Sequence, residues 1–110
     1  MMPVSSSSVS NDAPLDLRPE ELELVRRILR AHVPGFAVWA FGSRTRKNAK
    51  PHADLDLAII GDDPVGLNVL GALRHAFADS ALPMKVDLVD WALTEASFRR
   101  IIEDQKVVVQ

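Results

Sequence analysis

Two aspartates separated by one residue, Asp54 and Asp56, begin the apolar run that ends at Ile60. Successive side chains of a β-strand point to opposite faces, so a strand here places both carboxylates on one face and Leu55 and Leu57 on the other. Residues i and i+2 of a strand lie about 6–7 Å apart, which lets two carboxylates reach one cation. Mg²⁺ prefers oxygen ligands and keeps waters that substrate phosphates replace. The pair therefore predicts a magnesium site that acts on a nucleoside triphosphate.

A glycine and a serine, Gly42 and Ser43, precede this pair, with ten residues between Ser43 and Asp54. Glycine lets the backbone approach a ligand closely, and Ser43 stands where a following helix would begin. Free backbone N–H groups at a helix start attract phosphate. Arg44 and Arg46 add positive charge in the same segment. We predict that these two arginines and the Gly-Ser pair bind the phosphates of a nucleotide.

A third acidic residue, Asp87, lies within the apolar run 84–90, which predicts another strand. If this strand lies beside the earlier one with the same face inward, Asp87 joins Asp54 and Asp56. Three converging carboxylates suit two-metal phosphoryl transfer, in which one ion activates the attacking oxygen and the other stabilises the triphosphate and the departing pyrophosphate. Asp87 can also act as general base toward an attacking hydroxyl. Asp90 falls on the opposite face and is predicted to cap a turn.

The periodicity of apolar residues predicts the elements that position these groups. We expect a helix over Pro19–His32, a strand over 36–41, a strand over 54–60, a helix over 65–80, a strand over 84–90 and a helix over 94–105. The valine triplet 107–109 predicts an edge strand or a segment that docks a partner.

Composition predicts a flexible leader, residues 1–17, and one small domain, residues 18–110, with no room for a second domain. The formal net charge of −2 argues against a protein that coats nucleic acid. Cysteine is absent, which excludes disulfides and thiolate metal sites. No apolar run approaches the length of a membrane span, and the N-terminus lacks the layout of a signal peptide. We therefore expect a cytoplasmic protein.

The Gly42-Ser43 pair, the ten intervening residues, Asp54-x-Asp56 and the later Asp87 together resemble the signature of the polymerase-beta-type nucleotidyltransferase superfamily. From about residue 19 to residue 110, the chain resembles the minimal nucleotidyltransferase (MNT) branch. The resemblance implies an α/β fold: a small mixed β-sheet with helices packed on one face and the carboxylates on the other. It also implies ATP or another nucleoside triphosphate as substrate, and Mg²⁺, as two ions, held by Asp54, Asp56 and Asp87.

Stand-alone members of this branch commonly pair with HEPN-domain toxins, and some transfer AMP onto a tyrosine of the toxin. This chain contains no tyrosine, so such an acceptor would lie in a partner protein. The resemblance thus implies an antitoxin, in a hetero-oligomer with a HEPN toxin, that transfers AMP from ATP to a hydroxyl of its partner. Two alternatives remain: a non-catalytic binding module that occludes the partner, and a nucleotidyltransferase acting on RNA ends, which the negative charge disfavours.

Overall fold

A computed structural model describes residues 15–46, 50 and 52–110, and most of the predicted leader lies outside these residues. The order of predicted helices and strands is confirmed, with bounds that differ by one or two residues. The helices are α1 (Pro19–His32), α2 (Leu67–Ala78) and α3 (Ala96–Gln105). The strands are β1 (Ala37–Phe41), β2 (Leu55–Ile60), β3 (Val86–Asp90) and β4 (Val107–Val108), and short 3₁₀ turns span Ser43–Thr45 and Trp91–Leu93.

The four strands form one mixed sheet in the order β3-β2-β1-β4. β2 runs antiparallel to β1 and parallel to β3, and α2 forms the crossover that makes the parallel pairing possible. In this register, Phe41 lies opposite Asp56, which in turn lies opposite Asp87. The end of β1 and the beginnings of β2 and β3 therefore meet at the same edge of the sheet.

One face of the sheet packs against α1 and α2. α1 begins with Pro19 at its first position, and the Arg18 N–H donates to Glu21 Oε1 at 2.9 Å, which satisfies a group at the helix start. Its apolar stripe includes Val25 and Leu29, which are fully buried. Full burial of one such side chain contributes about 1.5–3 kcal/mol to the stability of the fold. This face holds the main core, because most of the buried apolar residues lie on it. Its fully buried or nearly buried members are Leu15, Val25, Leu29, Val33, Val38, Ala40, Leu55, Leu57, Ile59, Leu70, Leu73, Phe77, Met84 and Val109.

The opposite face carries a smaller core, and α3 lies on it. Ile102 of α3 is fully buried against Phe41 and Ala58. The prediction of helices on one face therefore holds for α1 and α2, whereas α3 shares the face of the carboxylates. The reason is that Ile102 finds its apolar partners in the outward residues of β1 and β2, beyond the acidic end of the strands.

Residues 15–17, which the sequence analysis placed in the leader, pack against the domain. Leu15 is buried in the main core and Leu17 packs against it. The Asp16 N–H donates to the Arg44 carbonyl at 2.7 Å. Residues 15–17 therefore contact the domain whose predicted boundary is at residue 18, because Leu15 is buried in the main core and Leu17 is partly buried against it.

The valine triplet forms the predicted edge strand, since β4 pairs antiparallel with β1. Val109 is buried and Val108 is exposed, so part of the triplet is covered by this chain itself. The Gln110 side-chain amide donates to the carbonyls of Val33 and Phe36, each at 2.9 Å, which fixes the end of the chain. Among the described residues, no helix has both the length and the apolar character needed to cross a membrane.

Candidate functional site

The centre of the candidate site is the pair Asp56 and Asp87, which lie side by side on the parallel strands β2 and β3. Neighbouring strands are about 4.8 Å apart, so the two carboxylates face the same small volume. Burial, and then the negative charges of Asp87 and Asp54, raise the pKa of the Asp56 carboxyl from its ordinary 3.8 to about 6. The other two predicted site aspartates are thus close enough for their charges to act on the Asp56 carboxyl.

Asp54 lies one residue before β2 and is only partly exposed. In the part of the chain that the structure describes, no three acidic or histidine side chains are close enough together to form a ready-made metal site. The donor chemistry nevertheless suits a divalent cation. Hard carboxylate oxygens are what Mg²⁺ prefers. Burial, and then the negative charges of Asp87 and Asp54, raise the pKa of Asp56, and a bound cation would offset both effects.

Gly42 occupies the position where the backbone comes closest to this pair. Its φ of 83° and ψ of −158° lie in a region that only glycine populates readily. A Cβ built on Gly42 would overlap Asp56 Oδ2. The predicted close approach of this glycine is to a ligand, and in the structure the neighbour that its backbone approaches closely is the Asp56 carboxylate.

The turn after Gly42 presents Ser43 and Arg46 at the surface, since both residues are exposed. Their predicted role in phosphate binding stays a prediction that this arrangement permits. Arg44 is different because it is only 7% exposed. Its guanidinium donates to the Ala53 carbonyl through Nε and to the Asp16 carbonyl through Nη1, both at 3.0 Å.

The position of Arg44 changes the interpretation of this residue. Its side chain ties the Gly-Ser turn to the segment that leads into β2 and to the residues before α1. Arg44 thus holds the two halves of the site at a fixed separation, and the direct phosphate contact predicted for it does not match its burial. Sequence reasoning missed this because arginine is rarely buried, and its hydrogen-bond partners are backbone groups that a sequence pattern does not identify.

Two further charged residues lie on β3 or next to it, and only the first of them borders the pair. Lys85 Nζ lies 3.8 Å from Asp87 Oδ1, and the sequence analysis gave this lysine no role although alternation puts it on the same side as Asp87. Asp90 is buried on the other face, where Oδ2 accepts from the Val65 N–H and Oδ1 accepts from the Ala92 N–H. The prediction that Asp90 is a capping residue is confirmed.

A glutamine that the sequence analysis did not consider contacts the Gly-Ser turn. Gln105, the last residue of α3, accepts a hydrogen bond from the Gly42 N–H at 2.9 Å. The two residues are separated by 63 positions, and no periodic pattern connects them. Only the path of α3 across the carboxylate face brings them together.

The raised pKa of Asp56 predicts a dependence of stability on pH in the metal-free protein. The folded protein binds the Asp56 proton more tightly than the unfolded chain does. Protonation of Asp56 therefore stabilises the fold fully below about pH 3.8, and this contribution is lost as the pH rises to about 6. The change is about 1 kcal/mol, because solvent screens a partly exposed carboxylate. Urea unfolding of wild type and Asp56→Asn across this range measures it. If the difference in the free energy of unfolding between the two proteins were the same at every pH, it would contradict the prediction.

Chemically, this arrangement combines crowded carboxylates with a glycine turn whose backbone lies against them. The carboxylates supply negative oxygen ligands for a cation, and the turn presents polar groups to an anion beside it. Such a pairing suits a phosphorylated substrate that carries its own divalent cation. The side chains of Lys85 and Asp87 are 74% and 46% exposed, so this side of the site faces solvent.

Comparison with known proteins agrees with this chemistry. The family model described as "Polymerase beta, Nucleotidyltransferase" matches residues 23–110. The chain is 49% identical over 98 residues to the probable protein adenylyltransferase MntA of Haemophilus influenzae, a match that covers 89% of this chain and 86% of that protein.

Solved structures with the same fold include a toxin–antitoxin complex with AMP-PNP, matched with a TM-score of 0.70 and 23% identity over 81% of this chain and 72% of that one. A second match is to the complex of tri-AMPylated Shewanella oneidensis HEPN toxin with MNT antitoxin, with a TM-score of 0.65 and 21% identity over 86% of this chain and 72% of that one. At these identities the two matches establish the shared fold.

Proposed function

Because this chain belongs to the polymerase beta nucleotidyltransferase family, we propose that it transfers AMP from ATP to a hydroxyl of a partner protein. The observation that carries the proposal is the pairing of Asp56 with Asp87 directly beside the positive-φ turn at Gly42. This pairing supports phosphoryl transfer, since it offers cation ligands and an anion-binding turn at one point. The name of the Haemophilus influenzae relative supports a protein as the acceptor.

In the proposed reaction, the Gly42–Ser43 turn and Arg46 hold the triphosphate, and Arg44 fixes the turn against the start of β2. Mg²⁺, as two ions held by Asp54, Asp56 and Asp87, would supply charge neutralisation at the phosphates when bound. Asp87 accepts the proton of the acceptor hydroxyl as its oxygen attacks the α-phosphorus. The bond between the α-phosphorus and the oxygen that bridges it to the β-phosphate breaks. Pyrophosphate leaves, and AMP remains on the acceptor.

The acceptor in this proposal is a HEPN-type toxin, and the chain acts as its antitoxin in a hetero-oligomer in the cytoplasm. The chain contains no tyrosine, so a tyrosine acceptor would have to lie in another protein. Neutralisation by occlusion, without catalysis, is the second candidate, because toxin–antitoxin complexes occur among the structures that share the fold. The crowding of charge at Asp56 favours catalysis, since occlusion alone places no demand on carboxylates that repel one another.

Mass spectrometry of the partner tests the proposal. We expect that a partner incubated with this protein, ATP and Mg²⁺ gains the mass of one or more AMP groups on a hydroxyl side chain. It should gain none when ATP is replaced by an analogue with a methylene group between the α- and β-phosphates, because AMP transfer cannot break that bond. Addition of EDTA should abolish the adduct as well. A partner that is neutralised with no adduct under any of these conditions would contradict catalysis and favour occlusion.

A further inference from the structure

The peptide groups on both sides of Gly42 are held by hydrogen bonds. The Gly42 carbonyl accepts from the Thr45 N–H at 3.1 Å and from the Thr45 hydroxyl. The Gly42 N–H donates to Gln105 Oε1 at 2.9 Å. The first contact lies within the turn itself, whereas the second comes from a distant helix. Gln105 is therefore the point at which α3 controls the conformation of the turn.

α3 is well anchored for this purpose. Ile102 is fully buried, and the ring of Phe98 lies edge-to-face against Phe41 with centroids 5.7 Å apart. Phe98, Ile102 and Gln105 are spaced by four and three residues, so they form one stripe along the helix. This stripe lies against Phe41 and Gly42, so the packing of Phe98 and Ile102 sets the position of Gln105.

We propose that Gln105 is a positioning residue for nucleotide binding, which holds Gly42 so that Ser43 is presented to the triphosphate beside Asp56. The inference rests on the proposed function, because it concerns the same site. A neutral amide oxygen suits the position for an electrostatic reason. It satisfies the Gly42 N–H without adding another full negative charge close to Asp56 and the phosphates.

Gln105→Met tests the proposal, because methionine has a similar length but lacks the strong acceptor oxygen. Loss of one hydrogen bond is expected to raise KM for ATP about three- to tenfold, with kcat within about twofold of wild type. The Gly42 amide should also exchange with deuterium faster than in wild type. Gln105→Glu retains an acceptor oxygen and is expected to restore the slow exchange.

Gln110→Met is the matched control, since the Gln110 side chain also bonds backbone groups, namely the carbonyls of Val33 and Phe36 at the opposite end of β1. It should lower stability without changing KM for ATP. Equal KM values for wild type and Gln105→Met overturn the inference, as does an equal rise for Gln110→Met.

The outcomes also separate this inference from the proposed function. A wild-type protein that transfers no AMP overturns the proposed function alone. In that case, equilibrium binding of AMP-PNP decides for Gln105: weaker binding to Gln105→Met than to wild type supports the inference, and equal binding overturns it.

Discussion

Replacement of Asp54 and Asp56 together by asparagine is expected to lower the rate of AMP transfer at least about a thousandfold, because ligands that position metal ions at the phosphates contribute several kcal/mol to catalysis. Asparagine keeps the size of the side chain, so the fold should persist. Stability near neutral pH should stay equal or rise slightly, since the variant removes a carboxylate whose charged form is disfavoured by burial and by the neighbouring negative charges. Rates of AMP incorporation into the partner and urea unfolding measure the two effects.

The matched control is Asp62→Asn with Asp63→Asn, which removes the same charge from exposed positions just beyond the other end of β2. Its transfer rate should equal that of wild type. The double variant at the site also distinguishes catalysis from occlusion, because it should still bind the partner without neutralising it. Full neutralisation by this variant would favour occlusion, and an unchanged transfer rate would remove the two aspartates from the mechanism.

Local alternation was sufficient to predict which side of each strand carries an acidic residue. The pattern at Asp56 and Asp87 has a period of two, and a single helix between the strands makes their parallel pairing the expected one. The register that sets these residues directly opposite each other comes from the structure, because a shift of two residues would keep both acids on the same face. The acidic face of each strand was therefore accessible from sequence, whereas the convergence of the carboxylates was conditional on strand order and register.

Contacts between distant segments were not accessible in the same way. Arg44 carries a charge that usually indicates exposure, yet its hydrogen bonds to backbone carbonyls make burial favourable. Leu15 lies in a polar, serine-rich context that predicts a leader, and a single apolar side chain that fits the core produces no periodic signal. The placement of α3 on the carboxylate face likewise depends on how Ile102 packs, which three-dimensional shape decides.

The contribution of the Gly42 backbone to the site gives the second large expected effect. Gly42→Ala should destabilise the protein by about 2–4 kcal/mol, because alanine is strained at this positive φ and its Cβ would overlap Asp56 Oδ2. Displacement of Asp56 should in addition reduce AMP transfer about a hundredfold, since small shifts of a reacting geometry have effects of this size. Thermal or urea unfolding and the transfer rate provide the measurements.

Gly71→Ala is the control for this substitution, because Gly71 lies within α2 and a Cβ there meets no atom within 4 Å. It should stabilise the helix by up to about 1 kcal/mol and leave transfer unchanged. A double-mutant cycle isolates the steric part: in an Asp56→Ala background, Gly42→Ala should cost less than in wild type by about 1 kcal/mol or more, since the carboxylate no longer obstructs the Cβ. If Gly42→Ala lowered the free energy of unfolding equally in both backgrounds, Gly42 would be required for its backbone conformation alone and not for its contact with Asp56.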